Sequence, residues 1–269
     1  MVGGILLAMS DETPTPTVFE LVDEIVRPLA WAVPRRLSVL TYYDPDGNPE
    51  LPMGPPAAGI VEEAERQTRW HAALGSLGLS RDGVLTPKAV ALFRSLRRGQ
   101  VRGAVTGVLA DSLEPLRLHF FADHETGSVV EYVGGRVQLG SGGARRLADR
   151  VVERLPEARP GPGELLRIAA DPLGRVAPEH AGQVAQLREL AARPRLATMM
   201  FDLTISDKII AEHPRGAVVL FDTDLGRYLV ITAIDEDGNW VLFHSPATGQ
   251  HVGHWIRQSV QAHLEPACG

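Results

Sequence analysis

The stretch from Ala217 to His244 constrains the fold of this chain more than any other. Three apolar, β-branched runs follow one another: Ala217-Val-Val-Leu-Phe221, Arg227-Tyr-Leu-Val-Ile-Thr-Ala-Ile234 and Trp240-Val-Leu-Phe243. Their length and composition favour strands over a buried helix. The connectors Asp222-Thr-Asp-Leu-Gly226 and Asp235-Glu-Asp-Gly-Asn239 each hold a glycine that supplies positive φ without steric cost. Together they predict a three-stranded antiparallel meander, and nothing in it has the make-up of a catalytic centre.

The middle strand is apolar on both parities. Tyr228, Val230 and Ile234 fall on one side, and Leu229, Ile231 and Ala233 on the other. Trp240 with Leu242, and Val241 with Phe243, behave alike. A sheet open to water on one side should alternate apolar with polar. Either the chain's own helices cover both faces, or one face docks a partner. Phe201, Leu203, Tyr228, Val230, Trp240 and Leu242 are the candidate partner-binding residues on the second reading.

Upstream, the chain shows the same succession twice. Helix-forming segments at 87–96 and 179–192 each precede a long strand, 101–110 and 195–205. Strands at 116–122, 128–133 and 136–139 match the opening meander. Helices with Leu147, Val151 and Leu155, and with Ile256, Val260 and Leu264, close the two series. Val90-Ala-Leu-Phe-Arg-Ser-Leu96 and Val184-Ala-Gln-Leu-Arg-Glu-Leu190 share a pattern, as do Asp123-x-x-x-Gly127 and Asp222-x-x-x-Gly226. The fold class expected is α+β: one pseudo-two-fold domain of duplicated helix, four-strand meander and helix units, its mostly antiparallel sheet flanked by helices. The expected layout is an arm over 1–16, a domain over 17–264 with halves at about 17–160 and 161–264, and a tail over 265–269.

Smaller signals mark the ends of elements. Thr86 and Pro87 suit the N-cap and first position of a helix. Val18 to Val33 reads as a helix shortened by Pro28, Arg36 to Tyr43 as a short strand, Asp44 to Pro56 as a Pro/Gly loop and Gly59 to Leu77 as a helix.

Net charge is −6, with 27 basic and 33 acidic side chains, so no basic footprint points to nucleic acid or an anionic membrane. No run approaches the roughly 18 apolar residues of a spanning helix, and the N-terminal apolar run lacks a basic flank. A cytoplasmic location without stable membrane insertion is expected. The single cysteine, Cys268, has no partner for an intramolecular disulfide.

Three motifs invite chemistry. Gly140-Ser-Gly-Gly143 lies where a phosphate loop would, but Arg145 stands where a dinucleotide fingerprint needs its third glycine, and no Gly-Lys-Ser/Thr follows. Asp44-Pro-Asp-Gly-Asn48 and Asp235-Glu-Asp-Gly-Asn239 resemble the start of a calcium loop, with the glycine misplaced and no closing glutamate. His244, His251, His254 and His263 crowd the C-terminal segment without a His-Glu-x-x-His arrangement. Helix entry, turns and surface histidines are the simpler readings, leaving no catalytic, cofactor-binding or metal residue assigned. An anion-binding or hydrolytic enzyme using residues 140–143 or the histidines is the alternative function, and a homodimeric scaffold a third.

Several segments together resemble the EspG family, the cytosolic chaperones of type VII secretion in actinobacteria. They are Leu77-Gly-Leu-Ser-Arg-Asp-Gly-Val-Leu-Thr-Pro87 with its helix, Val137-Gln-Leu139 before an Arg-rich helix, the Leu155-Pro156 and Pro160-Gly-Pro-Gly163 linker, and above all Phe221-Asp-Thr-Asp-Leu-Gly-Arg-Tyr-Leu-Val230. The resemblance runs from about Val18 to Leu264; the Asp44–Pro56 loop and Met199-Met-Phe-Asp202 depart from the family pattern. It implies a non-enzymatic protein that binds a PE/PPE-like or WXG-type secreted helical pair, shields an apolar tip and needs no cofactor.

Overall fold

The computed structural model describes residues 16–29 and 72–264, apart from 73, 77, 83, 134, 135, 207 and 212–215. The expectations for residues 1–15, the 36–43 strand, the 44–56 loop, most of the 59–77 helix and the 265–269 tail lie outside these.

Helix α1 (Val18–Val26) opens with a capping box: Thr17 Oγ1 accepts from the Glu20 N–H, and the Glu20 carboxylate accepts from the Thr17 N–H. A 3₁₀ turn over Arg27–Leu29 ends it at Pro28, where the α-helical ladder loses its donor. Strands β1 (Ser80–Arg81) and β2 (Val84–Leu85) form a small hairpin. Helix α2 (Pro87–Arg98) then starts as expected, with Thr86 Oγ1 accepting from the Ala89 N–H at 3.3 Å and Pro87 in the first turn.

The main sheet uses β3 (Val101–Leu109), β4 (Leu116–Ala122), β5 (Thr126–Val133), β6 (Arg136–Gly143), β7 (Leu166–Ala169), β8 (Arg195–Ile205), β9 (Lys208–Ala211), β10 (Val218–Thr223), β11 (Gly226–Ile234) and β12 (Trp240–Pro246). Between them lie α3 (Leu147–Val152) and α4 (Ala181–Ala191), and α5 (Gly249–Leu264) follows. The strand order is β6-β5-β4-β3-β8-β10-β11-β12-β7, all antiparallel, with β9 paired to the end of β8. Strands β3 and β8 stand at the centre, and the rest of each meander steps outward in chain order. Helices α2 and α3 bracket one meander, and α4 and α5 the other.

Two cores sandwich the sheet. On one face, Leu147 and Val151 of α3 and Val252 and Ile256 of α5 pack with Val105, Phe120, Met199, Phe201 and Leu220. On the other, Leu21, Val22 and Ile25 of α1 and Val184 and Leu187 of α4 pack with Val219, Tyr228, Val230 and Leu242. The doubly apolar strands therefore have both faces covered by the chain's own helices over most of their length, while Ile234 at the end of β11 stands 59% exposed. A third, smaller cluster joins Leu74 and Leu79 to Ala89 and Leu92 of α2. At Gly103, paired in register with Phe120, a Cβ would overlap the Phe120 ring. The missing side chain is what lets that ring lie across the central strands.

Candidate functional site

All six candidate partner-binding residues stand inside these cores. Phe201, Tyr228, Val230 and Leu242 are 0% exposed, Leu203 1% and Trp240 8%. Baring side chains of this size costs roughly 1.5–3 kcal/mol each, so they hold the fold together and offer a partner no surface in this arrangement. Self-coverage explains the apolar parities.

Gly140–Gly143 belongs to strand β6, longer than the 136–139 strand the sequence predicts, and pairs with β5 from Val129↔Gly140 to Thr126↔Gly143. A Cβ at Gly142 would overlap the guanidinium of Arg150, which donates to the Gly127 carbonyl. Glycine here makes room for an arginine of α3 instead of cradling a phosphate.

Asp235 closes its own turn, its carboxylate accepting from the N–H groups of Asp237 and Asn239. The histidines do not converge: His244 is buried on β12, while His251 and His254 are exposed on α5. His251 Nδ1 accepts from the Thr248 N–H at 2.9 Å, at the start of that helix. Among the described residues no three metal-ligating side chains gather.

Two features emerge that sequence reasoning missed. The first is a polar and aromatic row inside the second half. Arg195 lies 4.4 Å from the Phe221 ring, Phe221 stacks on Tyr228 at 5.5 Å, and Tyr228 on His244 at 5.1 Å. Tyr228 donates to the Pro162 carbonyl, and a Cβ on Gly161 would collide with its ring, so the linker seals this row. Neither ring nitrogen of His244 has a partner among the described residues, and burial pulls its pKa down to about 4. Burial also lowers Arg195 to about 10, opposed by the charge of Asp222. Across the strand, Arg227 donates two hydrogen bonds to the buried carboxylate of Asp222. Direct opposition of residues 222 and 227 in the hairpin was the available signal for that pair.

The second feature is a cleft of about 620 Å³ where the two closing helices meet the β4–β5 turn. Its floor is apolar, formed by Leu147 and Ala148 with Ile256 and Val260. Ala122, Asp123 and His124 form one wall, and Ala144 and Arg145 another; Arg257 and Gln261 complete the lining from α5. Asp149 fixes Arg257 at 2.7 Å, and α3 and α5 approach closely because residue 253 is glycine. The stripes 147/151 and 256/260 were visible in the sequence. That they face one another and leave a gap is a property of the packing. Its volume and mostly apolar lining are those of a ligand-binding cleft.

The family model described as the EspG family matches residues 47–258. Among solved structures, the Mycobacterium tuberculosis type VII secretion system chaperone EspG5, in complex with a PE25-PPE41 dimer, is similar at 12% sequence identity and a TM-score of 0.47. That likeness covers 75% of this chain and 84% of that one. Comparison with curated proteins gives no match.

Proposed function

The chain belongs to the EspG family, matched over residues 47–258, and from that premise we propose that it is a non-enzymatic cytoplasmic chaperone of type VII secretion. Its clients are PE/PPE-like helical pairs, which it binds before export and keeps soluble by covering an apolar tip. The family match, which spans most of the chain, is the observation that carries this reading. Phe221–Val230, where the sequence resemblance is strongest, forms the buried hairpin β10–β11 and so ties the resemblance to the framework of the fold. None of the described helices is long and apolar enough to cross a membrane.

Co-expression with a PE–PPE-type heterodimer, followed by size-exclusion chromatography with light scattering, tests the proposal. A stable complex of the chaperone with one pair is expected. Failure to co-elute with any such pair from the same genome would overturn it.

A further inference from the structure

We propose that the free edge of β6 accepts an extended segment of another protein as an added strand, and that Arg150 selects segments that place a carboxylate beside Gly142. β6 closes the strand order: it pairs with β5 on one side and with no strand on the other among the described residues. Every second residue of such a strand turns its N–H and C=O outward, and the eight residues of β6 give room for a ladder of several bonds. Edges are commonly closed to strangers by a proline or a bulge. β6 has neither: its register with β5 is unbroken from Val133↔Arg136 to Thr126↔Gly143.

Guanidinium groups lie along this edge at i, i+4 and i+8: Arg146, Arg150 and Arg154. The α3 segment runs antiparallel to β6, setting Arg150 over Gly142 and Arg154 beside Gly140 and Gln138. Both arginines use Nη1, Arg150 on the Gly127 carbonyl and Arg154 on Glu131 and Gln138. Both turn Nη2 towards β6.

The carboxylates nearby keep their charge and balance every guanidinium but one. Glu153 faces Arg146 at 3.8 Å, Glu131 faces Arg154 at 2.8 Å, and Asp149 faces Arg257 at 2.7 Å. At the head of the row Arg145 adjoins the β4–β5 turn, which carries Asp123 and Glu125. Arg150 has no carboxylate partner among the described residues.

An added strand lies about 4.8 Å beyond β6, which brings a carboxylate on its α3 face within reach of the unused Nη2 of Arg150. A lysine there is repelled, and an amide gains less. A second copy of this chain fits poorly. Antiparallel self-pairing through β6 puts both Arg150 side chains on one face, with no unmatched carboxylate for either.

Fluorescence anisotropy of the full chain with the labelled peptide Thr-Val-Thr-Glu-Thr-Val-Thr tests this. Changing the peptide's Glu to Gln is expected to raise Kd about fivefold or more on the wild type, and under twofold on Arg150→Gln. Glu153→Gln, which frees Arg146, should lower Kd about twofold, a gain that misfolding cannot mimic. N-methylation at the even positions of the peptide and at the odd positions should differ, since only one set of N–H groups faces β6. One register should lose about tenfold and the other stay within twofold. Equal effects of the two registers remove strand addition. A Glu-to-Gln loss as large on Arg150→Gln removes Arg150 as the selector. Equal binding of a thymidine heptanucleotide marks a general anion surface and overturns the proposal, as does a wild-type chain that does not bind the peptide. Client binding is measured separately, so none of these failures touches the chaperone reading.

Discussion

Arg227 donates to both carboxylate oxygens of Asp222, at 2.6 and 2.7 Å, from directly opposite positions on β10 and β11, with both side chains almost fully buried. Removing one partner strands the other charge in the core. Asp222→Ala and Arg227→Met should each lower unfolding free energy by about 3–5 kcal/mol. The double variant Asp222→Leu/Arg227→Met should lose much less than the two summed. Urea unfolding of the three variants gives the coupling energy, and simple additivity would show that the pair is not a unit.

His244 makes stability depend on pH. Its folded pKa of about 4 lies below the ordinary 6.5 because burial penalises the imidazolium. Between those values the unfolded chain binds the extra proton and the folded chain does not. The contribution is whole above pH 6.5 and is lost as pH falls towards 4, up to about 3 kcal/mol. Burial lowers the His119 pKa as well, with the same sign. Unfolding free energies at pH 7 and 4.5 should differ less in His244→Phe, which keeps the stack on Tyr228 without a titrating group; an unchanged slope would contradict the assignment.

Gly103→Ala should destabilise the chain by roughly 1–3 kcal/mol, because the added methyl meets the buried Phe120 ring. Gly143→Ala adds a methyl with nothing within 4 Å and should be near neutral. Thermal melts of the pair separate a steric demand from a general intolerance of strand glycines.

Gly253→Leu should push α5 away from α3, since even a Cβ there comes within 2.9 Å of Val152. A loss of roughly 1–3 kcal/mol is expected. Asp149→Asn, which weakens the half-exposed bond to Arg257 across the same interface, should cost under about 1 kcal/mol. Denaturant midpoints will rank packing above charge here, and the reverse order would refute that ranking.

Much of the framework was legible in the residues. Strands β4 (Leu116–Ala122) and β8 (Arg195–Ile205) have the bounds that the sequence predicts, and Thr86-Pro87 marks the start of α2, where the local capping chemistry decides the point. The residues predict a strand that ends at Leu139, because Gly140-Ser-Gly-Gly143 reads as a loop; β6 runs on to Gly143, with Arg150 occupying the space over Gly142. Asp123 and Asp222 share a spacing to glycine but do different work, one closing a turn and the other neutralising a buried arginine. The apolar parities of β11 and β12 are local facts. Which elements cover them is not, because α1 lies some two hundred residues upstream of the strands it shields. The cleft was illegible for the same reason.

The central seam of the sheet has a kinetic consequence. Strands β3 through β6 pair with their sequence neighbours, as do β10 through β12, so each meander can zip up locally. The β3–β8 ladder, running from Leu109↔Ala197 to Val101↔Ile205, closes a loop that contains the whole rest of the first meander. Closing so long a loop delays its reward in contacts, so the seam is expected to pair after the two meanders. Until it does, each half carries a bare central edge able to recruit the wrong strand. A chaperone built this way passes, during its own synthesis, through the sticky state from which it is proposed to protect its clients.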